Sequence, residues 1–93
     1  MSIDEKLDVI RNYFKEKFPK EIVADRFSDE YMAQYFYIMG ENKGIYFRRA
    51  FLQDHTVEQI LRFLKEKDPA RGLDKAGLHF FVENDGSIKP KTN

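Results

Sequence analysis

Apolar and polar residues change their spacing several times along this chain, and each change marks a new predicted element. In the first segment apolar residues recur every three or four positions, as the core-facing side of an α-helix requires: Ile3, Leu7, Ile10, Phe14 and Phe18. Ser2 followed by Glu5 is a capping-box pattern, and Pro19 disfavours helical backbone angles in the residue before it. These signals predict a first helix from Ser2 to Phe18.

The centre of the chain changes to a period of two. The segments from Tyr31 to Met39 and from Ile45 to Leu52 are rich in Tyr, Phe and Ile, and a Gly/Asn cluster separates them. This pattern predicts an antiparallel pair of strands. We expect Met39 to pair with Gly44 across the turn.

This register sorts the side chains by type, because successive residues of a strand point to opposite faces. It places Ile38 opposite Ile45 and Phe36 opposite Phe47 on an apolar face, which we expect helices to cover. The other face carries tyrosine and arginine: Tyr35, Tyr37, Tyr46 and Arg48. A slip of one residue would mix the two sets.

Arg49 is the exception, because the same register places it beside Gln34 on the apolar face. A buried charge is costly unless it is paired. We therefore expect Arg49 to lie at the margin of the sheet, where its guanidinium reaches a helix carboxylate. The alternative is that Arg49 belongs to a polar pocket.

Two further elements flank the central pair. Residues Glu21 to Ser28 are predicted to form a short strand with charges near its end, as suits the edge of a sheet. Thr56 and Gln59 form a second capping-box pattern, with Asp54 as a competing cap, and the apolar spacing after them predicts a helix that ends near Lys67.

The C-terminal part of the chain is punctuated by proline and glycine. We predict a short helix from Pro69 to Ala76, a strand from Leu78 to Glu83, and a short strand from Ser87 to Lys89. The segment Asn84 to Gly86 between the two strands is a hairpin signal. The polar tail from Pro90 to Asn93 is expected to be disordered. The hairpin either extends the sheet or covers its tyrosine face.

The predicted order is helix, three strands, helix, short helix and two strands. Its natural packing is α+β, with a small antiparallel sheet and the two main helices on one face. The 93 residues have room for one hydrophobic core, so we expect residues 1–93 to form a single domain. Nine Phe and five Tyr supply large apolar surfaces for that core.

Charge and composition argue against several classes of protein. The 16 basic residues balance 16 acidic ones, which disfavours a general polyanion binder but leaves room for a local basic patch. The chain has no cysteine, so disulfide and thiolate chemistry are excluded. The charged N-terminus lacks an apolar signal core, and no run approaches the ~20 apolar residues of a membrane span. We therefore expect a cytoplasmic protein without membrane contact.

Residue types that carry catalysis are few, and they lack the spacing that catalysis needs. His55 and His79 are the only histidines, and neither lies in a metal-ligand or nucleophile pattern. The serines lie outside nucleophile-elbow patterns, and the segment from Asn84 to Ser87 lacks the spaced acids of an EF-hand. The sequence therefore predicts no enzyme, no cofactor and no metal site.

The tyrosine and arginine face is the candidate binding surface. We expect its four residues to be joined by Arg26 from the first strand. Tyr and Arg are common anchors of protein interfaces, so our first hypothesis is a non-enzymatic protein-interaction or regulatory module. It would act through this face or through an edge strand, with homodimerisation as one form. The alternatives are nucleic-acid binding by base stacking on the same face, and rings that only pack as part of the structure.

The order helix–strand–strand–strand–helix from Ser2 to Lys67 resembles the core of the double-stranded-RNA-binding domain. That resemblance implies phosphate contacts from a basic helix start. Here the corresponding start, Asp54 to Glu58, carries acidic residues, and the basic residues lie at the other end of the helix, where they complement its dipole. We therefore do not expect the RNA-binding function of that family.

Overall fold

The computed structural model describes residues 3–73 and 78–91. Its helices are α1 (Ile3–Lys17), α2 (Arg49–Asp54) and α3 (Val57–Lys67), followed by a 3-10 helix (Pro69–Leu73). Its strands are β1 (Val23–Ser28), β2 (Ala33–Ile38), β3 (Gly44–Arg48), β4 (His79–Val82) and β5 (Ile88–Pro90). Among these described residues, no helix has both the length and the apolar character that crossing a bilayer requires.

The five strands form one sheet in the order β1-β2-β3-β4-β5. β1, β2 and β3 pair antiparallel, as do β4 and β5, whereas β3 and β4 run parallel. The predicted α+β class with a small sheet is confirmed, with one parallel pair that the sequence did not indicate. That pair also answers the question of the final hairpin, which extends the sheet beside β3.

The predicted register of β2 and β3 is wrong by two residues, because Phe36 rather than Ile38 lies opposite Ile45. The cause is the turn between the strands. The N–H of Glu41 donates to the carbonyl of Ile38 at 3.1 Å, and Gly40 takes a φ of 83° at the third turn position. A turn of this kind favours glycine there and fixes where the strands begin to pair. A shift of two residues leaves every side chain on its predicted face.

The second strand of the predicted pair ends early, because residues 49–54 form α2 where strand was expected as far as Leu52. Phe51 and Leu52 are adjacent, and both are buried, with 0% and 1% exposure. A strand with one solvent-facing side would turn one of them outward, whereas one helical turn places both against the core. At the start of α2 the N–H of Arg49 donates to the carbonyl of Met32 at 2.9 Å.

Arg49 consequently lies outside the apolar face of the sheet. Its side chain is exposed at the start of α2, and its guanidinium carbon lies 5.6 Å from the centre of the Phe27 ring. Its position at the margin of the sheet therefore agrees with the prediction. The contact observed there is a cation over an aromatic ring, which needs no desolvation of the charge.

α1 and α3 both pack on the apolar face of the sheet. The side chains that they bury follow the predicted helical period: Leu7, Ile10 and Phe14 in α1, and Ile60 and Leu64 in α3. Phe14 is the centre of the contact, because it stacks on Phe36 at 5.6 Å and meets Phe47 edge-on at 6.5 Å between ring centres. These rings join the first helix to the two central strands.

The capping box predicted for the second main helix is confirmed. The N–H of Gln59 donates to the Thr56 hydroxyl at 3.1 Å, and the Gln59 side-chain oxygen accepts from the N–H of Thr56 at 2.8 Å. The corresponding cap of the first helix involves Ser2, which lies outside the described residues. In the short helix predicted for residues 69–76, the described part, Pro69–Leu73, is a 3-10 helix, and residues 74–77 lie outside the described part of the chain.

The ends of the sheet differ slightly from the predicted boundaries. β1 begins at Val23 rather than Glu21. The first two residues of the tail expected to be disordered belong to the sheet or are bonded to it, because Pro90 ends β5 and the N–H of Lys91 donates to the carbonyl of His79 at 2.8 Å. Residues 92–93 lie outside the described part of the chain.

Arg11 fastens α1 to the edge strand β1. Its Nε and Nη2 each lie 2.9 Å from one oxygen of the Asp25 carboxylate, and Gln34 donates to the same carboxylate at 2.7 Å. The hydrogen bonds from Arg11 are the main cause that lowers the pKa of Asp25. Charge-assisted, bidentate pairs are the strong and directional ones, so this contact sets the position of the helix over the sheet.

We expect Asp25→Asn to destabilise the protein by about 1–3 kcal/mol at neutral pH, because it removes the carboxylate that Arg11 binds. The folded-state pKa of Asp25 lies below the unfolded value of about 3.9. Its contribution is therefore present above that value and is lost as the pH falls through the lowered folded pKa. Urea unfolding of both proteins between about pH 7 and pH 2 measures this change.

The matched control is Asp29→Asn in the exposed turn after β1, which we expect to change stability by less than about 0.5 kcal/mol. The free energy of unfolding should differ less between the original chain and Asp25→Asn at acid pH than at neutral pH. An equally large difference at both would contradict the assigned role of the Asp25 carboxylate.

Candidate binding face of the sheet

The five predicted site residues lie on the side of the sheet opposite to the helices. Tyr35 and Tyr37 come from β2, Tyr46 and Arg48 from β3, and Arg26 from β1. The register places Arg26 opposite Tyr35, and Tyr35 opposite Tyr46. Three neighbouring strands thus bring these side chains together.

The three tyrosine rings form a stacked row. The centre of the Tyr35 ring lies 4.9 Å from that of Tyr37 and 4.2 Å from that of Tyr46, and its plane is within 18° and 16° of theirs. Near-parallel rings at such distances are offset-stacked. Since Tyr37 and Tyr46 are not themselves in ring contact, they take the two opposite faces of Tyr35. The row therefore presents ring edges and hydroxyls to solvent.

β4 and the turn after β1 enlarge this row. Phe81 lies opposite Tyr46 with its ring centre 5.1 Å away, and Tyr31 packs edge-on against both at 5.0 and 5.2 Å. The hydroxyl oxygen of Tyr35 lies 2.8 Å from Nε2 of His79, within hydrogen-bond distance. We call this continuous surface the aromatic face, which consists of Tyr31, Tyr35, Tyr37, Tyr46, His79 and Phe81.

Cationic side chains border the aromatic face at both ends of the sheet. Arg26 is exposed, and its guanidinium carbon lies 5.9 Å from the ring centres of both Tyr35 and Tyr37. At the other end, Nζ of Lys91 lies 5.5 Å from the ring centre of Tyr31. Lys89 lies opposite Phe81 in the register and so shares its side of the sheet. These distances are within the range of cation–π attraction.

Arg48 holds the aromatic face together. Its Nε donates to Glu83 at 3.2 Å, its Nη1 donates to the carbonyl of Tyr31 at 2.6 Å, and its guanidinium carbon lies 4.3 Å above the Phe81 ring. These contacts join β3, β4 and the turn after β1. Of the two arginines predicted for the site, Arg48 is therefore engaged inside the molecule, and Arg26 is the exposed one.

Burial favours the neutral forms of Tyr35, Tyr46 and His79 on the aromatic face. Burial raises the pKa of Tyr35 to about 12 and also raises the pKa of Tyr46. Burial, and then the charge of Lys91, lower the pKa of His79, so its imidazole is neutral at physiological pH. The face thus combines the neutral hydroxyls of Tyr35 and Tyr46 with arginine and lysine side chains along its border.

Free hydrogen-bonding capacity on this surface lies in the hydroxyls. Those of Tyr31, Tyr37 and Tyr46 make no hydrogen bond within residues 3–73 and 78–91, whereas the Tyr35 hydroxyl contacts His79. The same residues contain no group of three or more His, Cys, Asp or Glu side chains that could hold a metal ion. The arrangement is suited to binding acceptor groups by hydrogen bonds and charge.

A groove of about 510 Å³ also lies between α1 and α3. Three of its polar side chains, Tyr13, Lys17 and Asp68, already bind one another. The Tyr13 hydroxyl donates to Asp68 at 2.5 Å and accepts from the N–H of Ala70 at 2.9 Å. Lys17 pairs with the same Asp68 carboxylate at 3.1 Å. These contacts tie the end of α3 to α1, so the groove is a structural junction between the helices.

Sequence reasoning missed part of the aromatic face. The available signal was the alternation along the strand predicted from Leu78 to Glu83, which puts His79 and Phe81 on the same side. The missing information was the parallel pairing of β4 with β3, which brings that side beside Tyr46. Tyr31 was assigned to a strand, whereas it lies in the turn before β2.

Comparison of the chain with protein-family models, with curated proteins and with solved structures finds no match. The start of α3 also carries acidic Glu58, so the feature of double-stranded-RNA-binding domains that contacts phosphate is not reproduced. The function has to be argued from the geometry of the aromatic face.

Gly44 provides the space in which the stacked row is built. A Cβ atom at this position would lie 2.5 Å from Cε1 of Tyr35 and 2.6 Å from the carbonyl oxygen of Phe36. Both distances are far inside van der Waals contact, and one of the two atoms belongs to the backbone. The edge of the Tyr35 ring therefore stands directly on the backbone of β3.

We expect Gly44→Ala to destabilise the protein by about 1–3 kcal/mol, because overpacking forces the Tyr35 ring and the local backbone to shift. Urea unfolding gives the stability, and the NMR shifts of the Tyr35 and His79 rings report whether the stack opens. The control is Gly40→Asn, which has open space around it and a left-handed backbone that Asn tolerates. Equal losses in the two variants would contradict the role of Gly44.

Proposed function

We propose that this protein is a non-enzymatic protein-interaction module whose partner binds the aromatic face, in the cytoplasm as the sequence analysis favours. The observation that carries the proposal is the stacked row of tyrosines on the side of the sheet away from the helices. The rings of this face pack on one another and not on the helices, and Tyr and Arg are enriched where proteins meet.

The stacking within the row favours a protein partner over nucleic acid. Bases bind aromatic platforms by lying on open ring faces. Both faces of Tyr35 are covered by neighbouring rings, and Arg48 lies over Phe81. Tyr37, at the end of the row, is the ring placed to offer an open face. A protein surface needs no such face, because ring edges and hydroxyls give it apolar contact and hydrogen bonds together.

The chemistry of the face also indicates what the partner surface contains. Tyrosine hydroxyls can donate, and Arg26, Lys89 and Lys91 add positive charge along the border. The groups that satisfy such a surface are carboxylates and backbone carbonyls. We therefore propose a partner with an acidic, carbonyl-rich patch, for which the cationic border raises the association rate and sets the orientation.

Site-specific photocrosslinking in cells tests this proposal. A photoreactive amino acid in place of Tyr37 or Lys89 is expected to crosslink the same protein, because both positions border one face. The matched control is the same substitution at Leu61, which is 51% exposed on α3. The crosslinks from Tyr37 are expected to weaken about tenfold when Arg26→Glu is added. Identical crosslinks from all three positions would overturn the proposal.

A second candidate function, nucleic-acid binding, is favoured by the cationic border alone. We expect labelled single- and double-stranded oligonucleotides to bind weakly at low salt and to lose that binding as salt is raised, without a saturable complex. A fluorescence titration of the original chain, of Arg26→Ala and of Tyr37→Ala measures this. Saturable binding at low-micromolar concentration that both substitutions abolish would replace the protein partner by nucleic acid.

A further inference from the structure

The two edges of the sheet differ in how they are protected against pairing with another strand. β5 is three residues long and contains Lys89 and Pro90. Short length, lysine and proline all hinder edge pairing. β1, at the opposite edge, has six residues with neither lysine nor proline. The open edge of this sheet is therefore β1.

The backbone groups that β1 presents outward follow from its pairing with β2. The N–H of Met39 donates to the carbonyl of Ile22 at 2.8 Å. In an antiparallel pair only every second residue forms such bonds, so Ile22 and alternate residues after it face β2. The residues between them direct their N–H and C=O groups away from the sheet, and among the described residues no further strand pairs there: Val23, Asp25 and Phe27.

Neither charge of β1 guards this edge. The Asp25 carboxylate is turned toward Arg11 on the helix side, and the Arg26 guanidinium lies over the tyrosine rings of the other side. A charged side chain that points inward can protect an edge, because a new strand would bury it without a partner, but the Asp25 carboxylate already has Arg11 as its partner. Apolar side chains are exposed here instead, with Ile22 at 72% and Phe27 at 39%.

We propose that β1 pairs with β1 of a second copy of this chain, antiparallel about a two-fold axis at Asp25. The two five-stranded sheets then join into one continuous sheet. In this register Val23 of each copy lies opposite Phe27 of the other, which gives two apolar cross-strand pairs. Arg26 lies opposite Ala24, whose small side chain leaves the guanidinium free to stay over the rings.

The sequence of β1 selects this register over its neighbours. Sliding one β1 strand along the other by an even number of residues keeps their outward-facing backbone groups opposite each other. A shift by two residues in one direction places Arg26 opposite Arg26, which is a like-charge pair. A shift by two residues in the other direction places apolar Val23 opposite charged Asp25. In the proposed register the two Asp25 carboxylates meet at the axis, but each is already neutralised by its own Arg11 at 2.9 Å.

A strand-edge contact of this length falls at the small end of the range of specific interfaces. We therefore expect a dimer that dissociates at concentrations on the order of 10 µM, which corresponds to modest affinity. Its formation does not use the aromatic face, and the two copies present their aromatic faces on the same side of the joined sheet.

Sedimentation of the full 93-residue chain across a concentration series tests the proposal. The original chain is expected to shift from 11.1 kDa toward twice that mass. Phe27→Glu should raise the dissociation constant by about tenfold or more, because the change acts twice in a symmetric contact and places charge opposite Val23. Arg49 beside Phe27 offers the new carboxylate a partner within the monomer, so the fold should survive.

Leu61→Glu is the matched control, because Leu61 is an exposed apolar residue on α3, away from β1. It should leave the dissociation constant unchanged. The proposal is overturned if the original chain stays monomeric up to about 1 mM, or if the two substitutions weaken the dimer equally.

Disulfide trapping tests the register independently. The chain contains no cysteine, so Ala24→Cys and Arg26→Cys each introduce a single thiol. In the proposed register these two positions face each other at about 4.5 Å between Cα atoms, within disulfide range. Oxidation of a mixture of the two variants should give a covalent dimer.

Oxidation of either variant alone should give little covalent dimer. In the proposed register the same position in the two copies is displaced by two residues along the strands, so its Cα atoms lie about 8 Å apart, beyond disulfide range. A covalent dimer from each variant alone, at the same rate as from the mixture, contradicts the register. If the folded mixture forms the disulfide no faster than the same chains unfolded in denaturant, the proposed strand pairing is wrong.

Discussion

The two-residue period of β2 and β3 is the constraint from which the rest of the structure follows. It separates Phe36 and Phe47, which are 1% and 0% exposed, from Tyr35 and Tyr46 on the opposite face. A slip by one residue would send two phenylalanine rings into water and push phenol hydroxyls under the helices without partners. Because each error costs several kcal/mol, the helices can pack on one side only. The other side is left for rings that keep their hydroxyls wet.

The aromatic face is more rigid than an array of exposed tyrosines would be. Gly44 lets the Tyr35 ring stand on the backbone, the flanking rings hold it from both sides, and Arg48 ties β4 to the turn after β1. Rings fixed in advance lose little conformational freedom when they meet another surface. The same order that stabilises the sheet therefore favours the proposed binding.

The elements and faces were predictable because they depend on local periodicity. The helical spacing from Leu7 to Phe14, the capping box at Thr56 and the alternation in β2 all act over a few residues. The turn type at Gly40 is also local, but its left-handed position was not assigned from sequence, and the register was wrong by two residues as a result. The faces survived because two residues are one full period of a strand.

The composition of the site was less predictable, since it depends on contacts between distant parts of the chain. Phe81 joins Tyr46 only because β4 runs parallel to β3, a pairing that no short pattern encodes. The end of β3 was overextended because Phe51 and Leu52 fit a β-rich run as well as a helical turn. Burial of both side chains by α1 and α3 decides between the two, and that burial is a property of the whole fold.

The position of β4 in the chain has a consequence for synthesis. β3 ends at Arg48, while the strand that covers its free edge begins at His79, after two helices have intervened. A ribosome therefore releases α1, the first three strands and α3 before β3 has its second neighbour. During that interval the nascent chain carries an incomplete aromatic face and an unpaired edge on β3, which is the form most exposed to chaperones and to misassembly. Docking of β4 and β5 ends that interval, so the complete aromatic face and protection from aggregation arrive in the same folding step.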